Sequence, residues 1–169
     1  MKEPNIRLRA LELEDLDFLY HIENDDRLWE LGVSNVPYSR RVLLDYITSA
    51  SADIYVDNQV RLIVENEQNE QVGILDRTEF APRHHRAELG IVIKKEFQGQ
   101  GYAKASVSRL LQYARNILHL QQIYAIVGIR NQKAAKMLQS VGFEGNNILK
   151  QWLCSPVGYE DAMFFQYFL

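Results

Sequence analysis

An α+β domain around one mixed, mostly antiparallel sheet is predicted, with about seven strands and about four helices. The prediction rests on strand-length runs, alternating or wholly apolar, that recur along the whole chain. Between them lie stretches with apolar residues at helical spacing and polar caps. The 169 residues fit one domain, 1–169, able to bury about two thirds of its unfolded surface without disulfides or metals.

Residues 6–11 alternate and read as a strand. Residues 14–23 read as a helix with acids in its first turn and Leu16, Leu19, Tyr20 and Ile22 towards a core. The stretch 24–38 is irregular. Ser39 caps a second helix through residue 49, with Val42, Leu43, Tyr46 and Ile47 apolar. Residues 60–65 and 71–80 form two strands joined by a polar connection. Residues 87–93 form a strand apolar on both faces, as a central strand is. A helix follows, with a stripe of Ala103, Val107, Leu110, Leu111, Ala114, Ile117 and Leu118. Residues 122–129 are a further strand. Asn131 caps the last helix, which carries Ala134, Ala135, Leu138 and Val141 and ends at Gly142. Residues 148–153 and 159–168 close the chain as two strands around a Ser155-Pro156-Val157-Gly158 turn.

Composition narrows the function. A net charge of −3 gives no strong attraction to nucleic acid or an anionic membrane. No apolar run reaches the roughly 18 residues of a membrane span, and no signal peptide is visible. A single cysteine, Cys154, cannot form an internal disulfide, so a cytoplasmic setting is expected. It reads as a buried, inert cysteine rather than a nucleophile. The four histidines, His21, His84, His85 and His119, have no metal-ligand spacing, and no metal is expected.

The chemistry is concentrated between Glu88 and Ala103, where a buried strand leads into Gln98-Gly99-Gln100-Gly101-Tyr102-Ala103 and a long helix. The first turn of a helix has unpaired N–H groups and a partial positive charge, which favour phosphate. Gly99 and Gly101 let a phosphate approach without an intervening Cβ. Tyr102-Ala103 replaces the Lys-Ser/Thr of a P-loop, and the dinucleotide fingerprint would need a third glycine. A plain strand-to-helix turn stays open. Glu88 stands among apolar and small residues, so its carboxylate is either paired, for example to Arg86 or Arg61, or faces a cavity. Desolvation would raise its pKa and suit it to take a proton from an ammonium group.

Gln98-x-x-Gly101-x-Ala103 resembles the pyrophosphate-binding signature of the GNAT acetyltransferase superfamily. The segments 85–91, 101–105, Asn131-Gln132-Lys133-Ala134, Val141-Gly142-Phe143-Glu144 and Gly158-Tyr159-Glu160-Asp161 are similar to its branch of spermidine and ribosomal-protein-alanine acetyltransferases. The resemblance implies a GNAT-like fold and an enzyme that moves an acetyl group from acetyl-CoA to a primary amine in a ternary complex. It implies that the main chain of Ile91, Val92 and Ile93 pairs with the pantetheine arm, and that the N–H groups of Gln98, Gly99, Gln100, Gly101, Tyr102 and Ala103 hold the pyrophosphate. Asn131 would bond the cofactor near the thioester, Glu88 would act as base, and an N–H near Val92 would face the oxyanion. The acceptor would enter between the strands that start near Ala87 and Gln122. Many members have a proton-donating tyrosine where this chain has Leu138, or at best Met137, neither of which can donate a proton.

The acceptor is expected to be a small amine, such as a polyamine, or a peptide N-terminus, with 24–38 lining its pocket. The nearly neutral run at 32–37 weakens the polyamine reading, although Glu23, Asp25, Asp26 and Glu30 remain. An acetyl-CoA-binding domain of little activity is the alternative. Self-association is left open by the aromatic residues Phe164, Phe165, Tyr167 and Phe168.

Overall fold

A computed structural model describes residues 3–25, 36–51, 53–155 and 157–169, with Arg77, Thr78 and Asn146 described by their backbone alone. The elements in order are β1 (Arg7–Ala10), α1 (Leu16–Glu23), α2 (Arg40–Ser49), α3 (Ile54–Asp57), β2 (Val60–Glu65), β3 (Gln71–Ala81), β4 (Arg86–Ile93), α4 (Tyr102–Asn116), β5 (Gln122–Gly128), α5 (Gln132–Val141), β6 (Glu144–Ser155) and β7 (Gly158–Phe168). The strands make one seven-stranded sheet in the order β1-β2-β3-β4-β5-β7-β6. Only the central pair, β4 and β5, is parallel.

The sheet separates two apolar layers. On one face α1 and α2 bury Phe18, Leu19, Leu43 and Ile47 against Ile63 and Ile74. On the other, Val107, Leu110, Leu111 and Ala114 of α4 and Leu138 of α5 pack on Leu75, Ala87, Leu89, Ile123, Ala125 and Phe165. A fully buried Leu or Ile contributes roughly 1.5–3 kcal/mol. Ile63, Leu75, Leu110 and Ile123 are all fully enclosed.

The caps follow the sequence. Ser39 Oγ accepts the Val42 N–H, and Asn131 Oδ1 accepts the Ala134 N–H. Gly142 ends α5 at φ +106°, with the Phe143 N–H reaching back to the Leu138 carbonyl. Departures have local causes. The first helix begins as a 3-10 turn at Leu13–Asp15, because Asp15 turns inward. The short helix α3, absent from the sequence reading, is capped by Asp53 and closed by Asn58 at φ +52°. Strand β6 starts at Glu144, before the expected residue 148, because its pairing with β7 runs back to Glu144↔Gln166. Val42 and Ile117, expected on buried stripes, are exposed.

A buried ionic knot ties the first segments together. Both guanidinium NH2 groups of Arg9 donate to Asp15, at 2.6 and 2.7 Å, and its Nε donates to Glu65 at 2.5 Å. Gln71 Nε2 and the Glu12 amide also donate to Asp15, whose side chain is 1% exposed. Burial pushes the Asp15 carboxyl up; the bonds from Arg9, Glu12 and Gln71 outweigh this and hold it below the ordinary value. A depressed carboxyl stabilises the fold above its unfolded pKa, and that contribution is lost as pH falls through its folded value. Asp15→Ala, which strands Arg9, should cost about 3–5 kcal/mol in denaturant unfolding at neutral pH, and the gap to the parent should shrink in acid below about pH 4.

Candidate functional site

The site starts where the sheet comes apart. β4 and β5 pair at only three positions, Arg86↔Gln122, Ala87↔Ile123 and Glu88↔Tyr124. Beyond them β4 stays with β3 as far as Gly73↔Ile93, and β5 stays with β7 as far as Gly128↔Ala162. Each strand follows its antiparallel partner, so a wedge opens between them. Strand alternation decides which main-chain groups line it. The Lys94 N–H bonds the Val72 carbonyl, so Val92 and Gly90, two and four residues back, also face β3. Leu89, Ile91 and Ile93 face the wedge, in step with the His85 carbonyl, which accepts from Gln121 and Gln122. Of the trio Ile91, Val92 and Ile93, the outer two therefore present main-chain groups to the wedge. The Ile93 carbonyl is already taken by Gln98 Nε2 at 2.9 Å.

At the far end of β4 a 3-10 turn, Lys95–Phe97, leads into the glycine loop. Gly99 and Gly101 adopt φ +77° and +90°, and Gly101 is the N-cap of α4. No side chain caps this helix and no acid stands in its first turn. The Gln98 N–H bonds the Lys95 carbonyl. The N–H groups of Gly99, Gln100, Gly101, Tyr102 and Ala103 have no acceptor among the described residues. Gln98 thus ties the loop to β4, while the next five amides remain available to an anion.

Glu88 lies on the α1–α2 face. Ile74, packed under those helices, is opposite Val92, and two-residue alternation puts Gly90 and Glu88 on the same side. Glu88 is half-buried and has no ion pair among the described residues. Arg61 is taken by Asp76 and Glu23, each at 2.6 Å, and Arg86 forms no bridge to Glu88. Burial first, then the negative charge of Glu79, pushes the Glu88 carboxyl above its ordinary value. Opposite Glu88 at the closed end of the wedge, burial and the charges of Glu88 and Glu79 push the Tyr124 hydroxyl up; its ring stacks on Phe164 at 5.2 Å.

Asn131 stands at the head of α5, its Oδ1 used as a cap and its Nδ2 without an acceptor among the described residues. Leu138 is 2% exposed and packed in the core beside Phe143. Cys154, expected to be buried, is exposed on the edge strand β6. Glu23, counted among the acids for a polycation, is committed to Arg61. Asp26, Glu30 and the run 32–35 lie outside the described residues. Asn24 and Tyr38, on either side, are joined by two hydrogen bonds. Sequence reasoning missed Glu79 and Tyr124, which reach Glu88 through a bulge and a register that only pairing reveals. A groove of about 560 Å³ between β1 and α4 shares no lining residue with the wedge.

Residues 5–144 match the acetyltransferase (GNAT) domain family. The chain is 31% identical over 158 residues to a spermidine N(1)-acetyltransferase of Vibrio cholerae serotype O1, covering 93% of this chain and 89% of that protein. It is 30% identical over 139 residues to a spermidine N(1)-acetyltransferase of Escherichia coli strain K12, covering 82% and 73%. The crystal structure of a Vibrio cholerae spermidine N-acetyltransferase in complex with CoA and spermine superposes with a TM-score of 0.85 at 29% identity, over 96% of this chain and 95% of that one.

The packing of Leu138 has a consequence for repair by mutation. Leu138→Tyr should overfill the core and lower stability by about 1–3 kcal/mol in thermal or urea unfolding, rather than install an accessible proton donor. A variant as stable as the parent would contradict this packing.

Proposed function

The chain belongs to the GNAT acetyltransferase family, and we propose that it acetylates a primary amine of a small di- or polyamine in a ternary complex with acetyl-CoA. The observation that carries this reading is the wedge itself. It has an unpaired, half-buried carboxylate at its closed end, a free β4 edge along one side and unbonded amides beyond its open end. The names of the relatives support the acceptor class.

Acetyl-CoA supplies the acetyl group as a thioester. The amides of Gly99, Gln100, Gly101, Tyr102 and Ala103, with the positive end of α4 behind them, hold the pyrophosphate. Ile91 and Ile93 offer main-chain groups to the pantetheine arm in the manner of an added strand, with Val92 keeping β4 attached to β3. The Asn131 amide donates to the same arm. Glu88 receives the acceptor's ammonium group and takes its proton, freeing the nitrogen lone pair to attack the thioester carbonyl. A wedge-facing N–H, from Ile91 or Ile93, stabilises the negative charge that develops on the carbonyl oxygen. Position 138 offers no proton donor, but a thiol pKa of about 8.5 marks the thiolate as a tolerable leaving group, and water can protonate it.

Release of free CoA thiol from acetyl-CoA in the presence of spermidine tests the reading; no release with spermidine, cadaverine or other primary amines would contradict it. Glu88→Gln should lower kcat/KM about a hundredfold near neutral pH. The base works when deprotonated, so the parent's rate climbs through a carboxyl pKa above the ordinary range, and that acid limb should vanish in the variant. The gap should narrow at alkaline pH, where the amine deprotonates unaided. Gly101→Asp, which brings a carboxylate to the pyrophosphate, should weaken acetyl-CoA binding about a hundredfold by calorimetry. Unchanged affinity would remove the loop from the site.

A further inference from the structure

A loop that keeps its donors free for a ligand cannot use those donors to hold its own shape. The amides of Gly99, Gln100, Gly101, Tyr102 and Ala103 have no acceptor among the described residues. Gly99 and Gly101 add conformational freedom, which a bound anion would have to remove. The chain braces the loop with other groups. The Gln98 side-chain amide donates to the Ile93 carbonyl at 2.9 Å, and that of Gln100 donates to the Glu96 carbonyl at 2.8 Å. The rings of Phe97 and Tyr102, at the two ends of the loop, meet edge to face at 5.7 Å. None of these contacts uses a loop N–H.

A further brace comes from a distant part of the sequence. Pro4, ahead of β1, lies on the side of Gly101 where an L-residue would carry its side chain. A Cβ at Gly101 would stand 3.0 Å from Pro4 Cδ and 3.6 Å from Pro4 Cγ. Glycine is thus required at 101 twice over, by φ +90° and by the ring beside it. Proline suits the opposite position. Its fixed φ leaves it little freedom to lose, and without an N–H it brings no donor to compete with the loop amides. Its place is secured from behind. β1 pairs with β2 from Arg7 onward, and Arg9 ties β1 to Asp15 and Glu65. Groups that hold a binding loop in its bound shape raise affinity by lowering the ordering cost that the ligand must meet.

We propose that Pro4 is a positioning residue for the cofactor: its ring, set against Gly101, holds the glycine loop in the shape that receives the pyrophosphate. This inference rests on the reading of that loop as the pyrophosphate site. It extends the site to the segment before the first strand, which contributes no donor or charge of its own through Pro4 and acts through the loop alone.

The test compares the parent, Pro4→Gly and Pro4→Val. Coenzyme A binding is measured by calorimetry. Binding of pantetheine, which has the thiol-bearing arm without the diphosphate, is followed by NMR titration. Pro4→Gly should weaken coenzyme A about fivefold and leave pantetheine unchanged. KM for acetyl-CoA should rise by a similar factor with kcat unaltered. The Pro4→Val variant, which keeps an apolar side chain against Gly101, should retain most of the affinity. Unchanged coenzyme A affinity in Pro4→Gly, or an equal loss for pantetheine, would overturn the role of Pro4 and leave the loop standing as the pyrophosphate site. A loss in Pro4→Val as large as that in Pro4→Gly would overturn the packing contact as its cause. A parent protein whose loop amides stay unmoved at saturating coenzyme A would overturn both the brace and the site.

Discussion

Three residue pairs hold the parallel strands at the centre of this protein, and the loss of a fourth opens the wedge between them. Up to Glu88↔Tyr124 the β4–β5 ladder is satisfied; past it each strand is claimed by an antiparallel neighbour with a longer register. An edge of unpaired main-chain groups inside a sheet is costly unless something pairs with it. A ligand with alternating amides, such as a pantetheine arm, has the chemistry to do so. Strand alternation assigns the main-chain groups: Ile91 and Ile93 towards the wedge, Val92 towards β3.

The electrostatics reinforce this opening. Four other buried or half-buried acids are answered by cations: Asp15 and Glu65 by Arg9, Glu23 and Asp76 by Arg61. Burial works against the Arg61 charge, but Asp76 and Glu23 outweigh it and raise its pKa above the ordinary value. Glu88, lacking such a partner, answers burial by holding its proton more tightly. A structural carboxylate that needs no proton exchange would be better served by an arginine. The same reasoning applies to the helix beyond the loop: α4 begins without an acid or a side-chain cap, which leaves its first amides open to an anion.

Much of this was legible in the sequence because local chemistry and tertiary structure agree there. Ser39, Asn131 and Gly142 act where cap preferences place them. The odd positions of β4 face the α4 layer as alternation requires, and the glycine loop lies between β4 and α4. What escaped was set by pairing. The extension of β6 back to Glu144 depends on β7, and the bulge that brings Glu79 to Glu88 leaves no mark on local periodicity. Gln98, grouped with the anion-holding amides, instead spends its N–H on Lys95 and its side chain on Ile93. Leu138 shows the converse. Its place in the helix could be counted, but its 2% exposure in the core could not.

The central claim is that one continuous set of main-chain groups, from the β4 edge to the first turn of α4, receives the cofactor. An amide-resolved NMR titration with coenzyme A addresses it most directly. The amides of Ile91, Ile93, Gly99, Gly101, Tyr102 and Ala103 should shift together and saturate at one concentration, while that of Val92, bonded to β3, should move little. Shifts confined to other regions, with the loop amides unmoved at saturation, would contradict the account.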